Sequence, residues 1–284
     1  MRLASPPRAL VIAGWDPTGG AGLAADLAVL TGHGVSGSGA VSAVTSQGPR
    51  GLRDLRPVEP ALLRAQIEDA LEAAPPHVVK IGLLADAASI EAVHDALADV
   101  DAPIVLDPVL GVSAGGWGLD ADALRALASL LVPRVAVLTP NGPEARALAA
   151  ALGEQAADDH EAGCRLSRSA RSVVVTGGHA PGREVSDVLF AEGKELARFA
   201  APRIEGGPFH GTGCAFASSL AARLARGEAL PAAVAGAREH VRGLLRLAAA
   251  RGAWRLPFAL LRAGGEKVDA SAGTVDATAI EEPA

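Results

Sequence analysis

The sequence predicts an α/β fold, a mainly parallel sheet covered by helices on both faces and so three layers deep. Three observations carry this. Short apolar runs alternate with helical segments along the chain. The runs are continuous in apolar residues, as strands buried on both faces are. Polar residues of chemical interest fall just after several of those runs, where ligands sit in such sheets. With 284 residues, 49% of them hydrophobic, the chain can fill one sizeable core. The expected organisation is one domain over 1–263 and a small, polar, disordered tail over 264–284.

Taken in order, Ala9–Ala13 reads as a buried strand, Gly14–Gly22 as a glycine-rich loop and Leu23–Thr31 as a helix. Gly39–Thr45 is a strand, Glu59–Ala73 a helix by its apolar spacing, and Val78–Leu84 a strand leading into a turn. Ser89–Ala98 is helical and Pro103–Leu106 is a strand ending at Asp107. Asp120–Leu131 is a helix with aspartate at its cap. Val135–Leu138 is a strand, and Pro143–Leu152 a helix with Pro and Glu in its first turn. Val173–Val175 is a strand, followed by a hairpin near Asp187–Phe190 and Glu195–Ala200. Cys214–Ala225 and Pro231–Ala250 are alanine-rich helices.

Composition removes several function classes. The formal charge is −6, from 26 basic and 32 acidic residues, so the basic footprint of a nucleic-acid binder is missing. Phosphorylated ligands have to be held locally, by backbone N–H groups, metal ions or single cations. Two cysteines, Cys164 and Cys214, make no disulfide framework. Met1 to Arg8 holds no apolar run, and nowhere do the roughly 18 to 20 uninterrupted apolar residues of a membrane span occur. A cytoplasmic protein without a membrane partner is expected. Lysine is used three times, at Lys80, Lys194 and Lys267. Lys80, inside an apolar strand, therefore needs a buried partner, and Asp107 at a neighbouring strand end is the first candidate.

The strongest single motif is His210-Gly211-Thr212-Gly213-Cys214 ahead of a helix. Two glycines let successive N–H groups turn to one spot, and the helix adds its positive end, an arrangement suited to phosphate or to a phosphoryl group in transfer. Taken alone, the motif is more simply a loop before a capped helix. Cys214 would lie where a thiol pKa tends to fall, and is equally readable as a small buried residue. The loop Gly14–Gly22 carries four glycines around Asp16 and lets a flat ligand approach the backbone, though its spacing is not that of a dinucleotide site. Gln47 offers donors and an acceptor to an aminopyrimidine edge, and equally reads as a solvated loop residue. Asn141 and Glu144 suit water-mediated Mg²⁺, with ordinary helix capping the stronger reading from spacing. Asp107 is a further carboxylate for magnesium or phosphate, or the end of a strand in an Asp–Pro turn. Zinc, α/β-hydrolase and P-loop motifs do not occur.

Read together, AGWDPTGGAG, VTSQGPRG, VKIGLL, LDPV, TPNGPEA, TGGH and HGTGC stand in the order found in the hydroxymethylpyrimidine/phosphomethylpyrimidine kinases of thiamine biosynthesis, which the chain resembles over roughly residues 8 to 250. The resemblance implies a ribokinase-like three-layer sandwich without a separate lid domain. It implies ATP and Mg²⁺ as cofactors, a small pyrimidine substrate phosphorylated twice, and a homo-oligomer. By similarity Gln47 reads the pyrimidine, and Gly14, Ala21, Leu83 and Val109 line its pocket. Gly211, Thr212, Gly213 and Cys214 form the anion hole, with Cys214 where many sugar kinases of the superfamily carry an aspartate base. Asp107, Asn141 and Glu144 serve the magnesium region, and Thr176, Gly177, Gly178 and Arg238 the nucleotide. Three departures stand out: Thr176 replaces a usual lysine, for which Arg203 is the candidate substitute; Trp15 replaces a usual serine; and Arg238 replaces a lysine. Gln47 favours the pyrimidine over pyridoxal, whose kinases differ there. A pyridoxal or vitamin kinase of the same superfamily, or a binding protein that has lost transfer, are the rival readings.

Overall fold

The computed structural model describes residues 5–111, 117–179 and 182–258. The expected tail over 264–284 lies outside them. The elements run β1 (Arg8–Trp15), α1 (Gly22–Gly32), β2 (Ser36–Gly48), β3 (Gly51–Pro57), α2 (Pro60–Ala73), β4 (Val78–Ile81), α3 (Ala87–Ala96), β5 (Ile104–Leu106), α4 (Ala121–Ala126), β6 (Val137–Leu138), α5 (Gly142–Ala151), α6 (Asp159–Leu166), β7 (Val173–Val175), β8 (Glu184–Ala191), β9 (Lys194–Pro202), α7 (Thr212–Ala225) and α8 (Leu230–Ala250).

Among the described residues the strands form one sheet in the order β3-β2-β1-β4-β5-β6-β7-β8-β9. The run from β2 to β7 is parallel. β3 at one edge, and β8 and β9 at the other, are antiparallel. Strand residues alternate between two cores. Leu10, Ile12, Val79, Ile81, Ile104, Leu106 and Leu138 pack with α2 to α6 through side chains such as Leu63, Ile90 and Leu148. Val11, Val78, Val105, Val137 and Val174 face the other way, onto α1, α7 and α8 through Leu30, Leu220 and Val234. Both faces are apolar because both are covered, which is why the strands read as unbroken runs. Each fully buried Leu or Ile contributes about 1.5–3 kcal/mol. This is the expected three-layer sandwich.

Several boundaries differ from expectation. β2 runs to Gly48, so Gln47 lies inside the strand, opposite Leu52 of β3. β3 escapes sequence reading because its segment GLRDLRP lies at an edge and is largely exposed, with no apolar pattern to mark it. The helix α6, capped by Asp158, is eight residues long and buries Ala162, Gly163 and Leu166, a stripe too short and too poor in large apolar side chains to mark a helix in the sequence. The expected helix over 120–131 starts as foreseen, with Asp120 accepting from Ala123 N–H, then widens to a π turn over Leu127–Leu131.

Candidate active site

The informative residues gather beyond the carboxyl ends of the parallel strands. Gly14 is the last residue but one of strand β1, and the loop after β1 carries Asp16 and the N-cap Ala21 of α1. Gly14 packs on the strand end of β4, where an added methyl would come within 3.3 Å of Leu83 Cδ2 and 3.6 Å of the Ala43 carbonyl of β2. Gln47 sits on β2 next to this floor, its amide donating to Thr45 Oγ1 at 3.0 Å, while that hydroxyl donates to the Trp15 carbonyl at 2.9 Å. The rotamer of Gln47 is thus tied to the first loop. Val109 is half-buried just past β5, its N–H on the Asp107 carbonyl at 2.9 Å. Trp15 is 43% exposed beside Val44 at the rim.

The loop Gly211–Cys214 meets the first glycine-rich loop backbone to backbone. Gly211 has φ +89°, and a Cβ there would be driven into the Gly20 carbonyl oxygen. Glycine is required at Gly211 on both counts. The approach is held by His210, whose Nε2 lies 2.9 Å from Asp16 Oδ2 and whose ring stacks on Trp254. Burial would raise the Asp16 pKa, but its bonds to His210 and Thr18 outweigh it and leave the carboxyl below the usual range. Gly211 is the N-cap of α7, and no side chain among the described residues caps that end. The first-turn amides of Thr212, Gly213 and Cys214 have no intrahelical acceptor and carry the positive end of the helix.

Beneath that turn lies a compact set of charges. The Cys214 thiol lies close to the Asp107 carboxylate and to the Gly22 backbone. The sequence leaves two readings of this thiol, one acidified by the helix end and the other a small buried residue. Burial, joined by Asp26 and Asp107, pushes it up to about 12, so it is a protonated donor at neutral pH. Burial also raises Asp107 to about 6, with Lys80 pulling the other way. Glu144 is pushed up to about 7 by burial and by the Asp107 charge. Lys80, fully buried, does not pair with Asp107: its Nζ is 2.6 Å from Asp26 Oδ2 on α1. β4 points Lys80 to the α1 side of the sheet, and the α1 carboxylate reaches it first. Burial works against its charge, but Asp26 and the further carboxylate Asp107 outweigh this and keep the ammonium protonated.

Asn141 and Glu144 close a capping box on α5: Asn141 Oδ1 accepts from Glu144 N–H at 3.0 Å and Glu144 Oε2 from Asn141 N–H at 2.9 Å. The capping reading therefore holds, and it leaves Glu144 facing Asp107. No cluster of three or more His, Cys, Asp or Glu that could hold a metal occurs among the described residues. Asp107 and the partly buried Glu144, whose proton affinity the Asp107 charge raises, nonetheless suit a divalent ion that keeps most of its water.

Thr176 bridges to Asn141 across the ends of β6 and β7 and leads into a 3₁₀ turn over Gly177–His179. Gly177 N–H donates to Asp187 Oδ1 at 2.8 Å. Arg238 lies behind this turn. It is 7% exposed, with Nε 2.9 Å from Asp187 Oδ2 and an amino group 2.7 Å from the Val185 carbonyl. It thus braces the turn from below and presents no open cation. Arg203 lies against the same turn, donating to the carbonyls of Gly178 at 3.0 Å and Gly182 at 2.8 Å. Sequence reasoning missed the Asp16–His210 pair and Asp26. Asp16 and His210 stand in glycine-rich motifs and Asp26 in none, and nothing in the spacing says that residues 194 positions apart meet. A groove between α2 and α3, lined by Arg64, Glu68, Asp95 and Asp99, opens at the amino ends of β4 and β5 and includes none of these residues.

Residues 16–259 match the family model described as phosphomethylpyrimidine kinase. The thiamine biosynthesis bifunctional protein ThiED of Geobacter sulfurreducens is 38% identical over 241 residues, 84% of this chain and 49% of that protein, so the chain spans about half of it. The hydroxymethylpyrimidine/phosphomethylpyrimidine kinase of Streptomyces coelicolor is 37% identical over 85% of this chain and 89% of its own. Among solved structures, the pyridoxal kinase of Staphylococcus aureus in complex with ADP superposes with a TM-score of 0.76 at 26% identity, over 86% of this chain and 89% of that one. With a model match across most of its length and relatives of this identity and coverage, the chain belongs to the phosphomethylpyrimidine kinase family.

Proposed function

We propose that the protein transfers the terminal phosphoryl group of ATP to the hydroxymethyl group of 4-amino-5-hydroxymethyl-2-methylpyrimidine, and then to the resulting monophosphate, on the route to thiamine. The observation that carries the reading is the uncapped first turn of α7, held backbone to backbone against the glycine-rich loop after β1. Phosphoryl transfer needs positioning and charge stabilisation more than covalent chemistry. The amides of Gly211, Thr212, Gly213 and Cys214 face the equatorial oxygens in transfer. Gln47, fixed by Thr45, pairs with the amino-pyrimidine edge over a floor of Gly14, Ala21, Leu83 and Val109. The turn Thr176–Gly178, braced by Asp187 and Arg238, receives the nucleotide phosphates. Asp107 and Glu144 would hold Mg²⁺ through water, with Asn141 keeping Glu144 in place. The ion, when bound, neutralises phosphate charge. Cys214, protonated, offers a hydrogen bond and its N–H, and does not start as a thiolate base.

The test is product formation from ATP and the pyrimidine alcohol by purified protein. Accumulation of the monophosphate and then the diphosphate is expected; neither product ends the reading. The structural likeness to a pyridoxal kinase favours pyridoxal as the second candidate substrate. Turnover on pyridoxal exceeding that on the pyrimidine would make it the first.

A further inference from the structure

Asp26, Lys80 and Ser218 form a polar cluster that none of the roles above uses. Each is 0% exposed. One carboxylate holds the other two: Lys80 Nζ donates to Asp26 Oδ2 at 2.6 Å, and Ser218 Oγ donates to Asp26 Oδ1 at 2.7 Å. The three come from different elements, α1, β4 and α7. Taking two charges out of water is costly, and well-packed apolar residues in place of a buried ion pair often leave a protein equally stable. Stability therefore does not account for this choice of side chains.

Their places in the fold do. Asp26 lies four residues after Gly22, one turn along α1 from the end of the first glycine-rich loop. Ser218 lies four residues after Cys214, one turn along α7 from the anion-facing amides. Lys80 is two residues before Gly82, and its ammonium sits so close under Gly82 that a Cβ there would meet Nζ at 2.7 Å. One carboxylate thus locks both loop-bearing helices and a central strand in a single register. Apolar packing would hold the same elements together without fixing direction, whereas charge-assisted hydrogen bonds fix distance and angle.

We infer that Asp26, Lys80 and Ser218 are positioning residues that set the first turn of α7 against the loop after β1, so that phosphoryl transfer depends on them while pyrimidine affinity does not. The inference rests on the proposed function for its kinetic consequence, not for its structural one.

The test uses the full chain in two variants, Ser218→Ala and the charge-neutral pair Asp26→Asn/Lys80→Met. Melting temperature, pyrimidine affinity by calorimetry, kcat, and hydrogen exchange at the first hydrogen-bonded amides of α7, 215–218, are read for each. For Ser218→Ala, affinity is expected within about threefold of wild type and kcat about tenfold lower. For the pair kcat is expected about 100-fold lower, the loss a displacement of about 1 Å produces. Exchange at 215–218 is expected to rise in both. A folded variant with wild-type kcat and wild-type exchange overturns the inference. So does a loss carried by pyrimidine affinity alone. Should the pair fail to fold, Ser218→Ala decides, because it leaves the ion pair in place. Should the wild-type protein fail to phosphorylate the pyrimidine, the proposed function falls, and the exchange measurement still tests the positioning.

Discussion

Gly211→Ala is the sharpest perturbation of the site. The residue has φ +89°, where a side chain costs about 1–2 kcal/mol. The new methyl would also be driven into the Gly20 carbonyl oxygen, a backbone atom that cannot swing aside. Moving one loop from the other adds about 1–3 kcal/mol of strain. A total near 3 kcal/mol lowers the melting temperature of a chain of this size by roughly 6–12 °C. The displacement, of order 1 Å, falls on the amides proposed to face the phosphoryl group and is expected to lower kcat about 100-fold. Gly19→Ala is the control: its φ of +66° is also left-handed, but an added methyl meets nothing within 4 Å. It is expected to cost only about 1–2 kcal/mol and to spare most of the activity. Thermal unfolding and an ATP-coupled assay with the pyrimidine alcohol measure both. A Gly211→Ala protein as stable and as fast as Gly19→Ala would refute the claim that the two loops are held in backbone contact.

Three further outcomes follow from the geometry. Gln47→Ala removes the amide tied to Thr45 and is expected to lower kcat/KM for the pyrimidine about tenfold with little change in melting temperature; unchanged kinetics would take Gln47 out of the site. Lys80→Ala leaves Asp26 as an unpaired buried carboxylate and should destabilise the protein by about 3–5 kcal/mol in urea unfolding, a loss that the paired substitution of both charges should largely avoid. His33 and His240 pack together at 4.7 Å between α1, α7 and α8, with Ser219 on His33 and the cations Arg223 and Arg226 nearby. Burial first, and then His240, Arg223 and Arg226, lower His33 from 6.5 to about 3, while burial and then Arg223 lower His240 to about 4. Below the unfolded value the unfolded chain binds protons that the folded one refuses. Stability is then complete above about pH 6.5 and falls as the pH drops toward 4, by about 2 kcal/mol per histidine at pH 5. Urea midpoints between pH 5 and 7 check it, with a His33→Gln/His240→Gln variant expected to flatten the slope relative to wild type.

Much of the site was legible from sequence because its residues sit in contiguous motifs at strand ends. Gly211–Cys214 and Gly14–Gly22 are recognisable by glycine content, and the capping box at Asn141 and Glu144 by its spacing. Buried strands such as Val78–Ile81 and Val173–Val175 were readable because both their faces are covered, which forces an apolar residue at nearly every position. Edge strand β3 was not, because an exposed segment is free of that constraint, and helix α6 was not, because its buried face of Ala162, Gly163 and Leu166 holds a single large apolar side chain.

What the sequence could not decide is pairing across the fold. Lys80 had to have a buried acid, a demand set by the cost of an unpaired charge and visible in one strand. Which acid depended on the side of the sheet the strand turned it to, and Asp26 lies there, 54 residues away. The same holds for the thiol of Cys214: a helix start alone favours acidity, but burial in the folded chain, with Asp26 and Asp107 adding to it and Lys80 opposing, pushes the thiol the other way. Local chemistry is written in the order of residues. Electrostatic environment is a sum over neighbours, and neighbours exist only once the chain has folded.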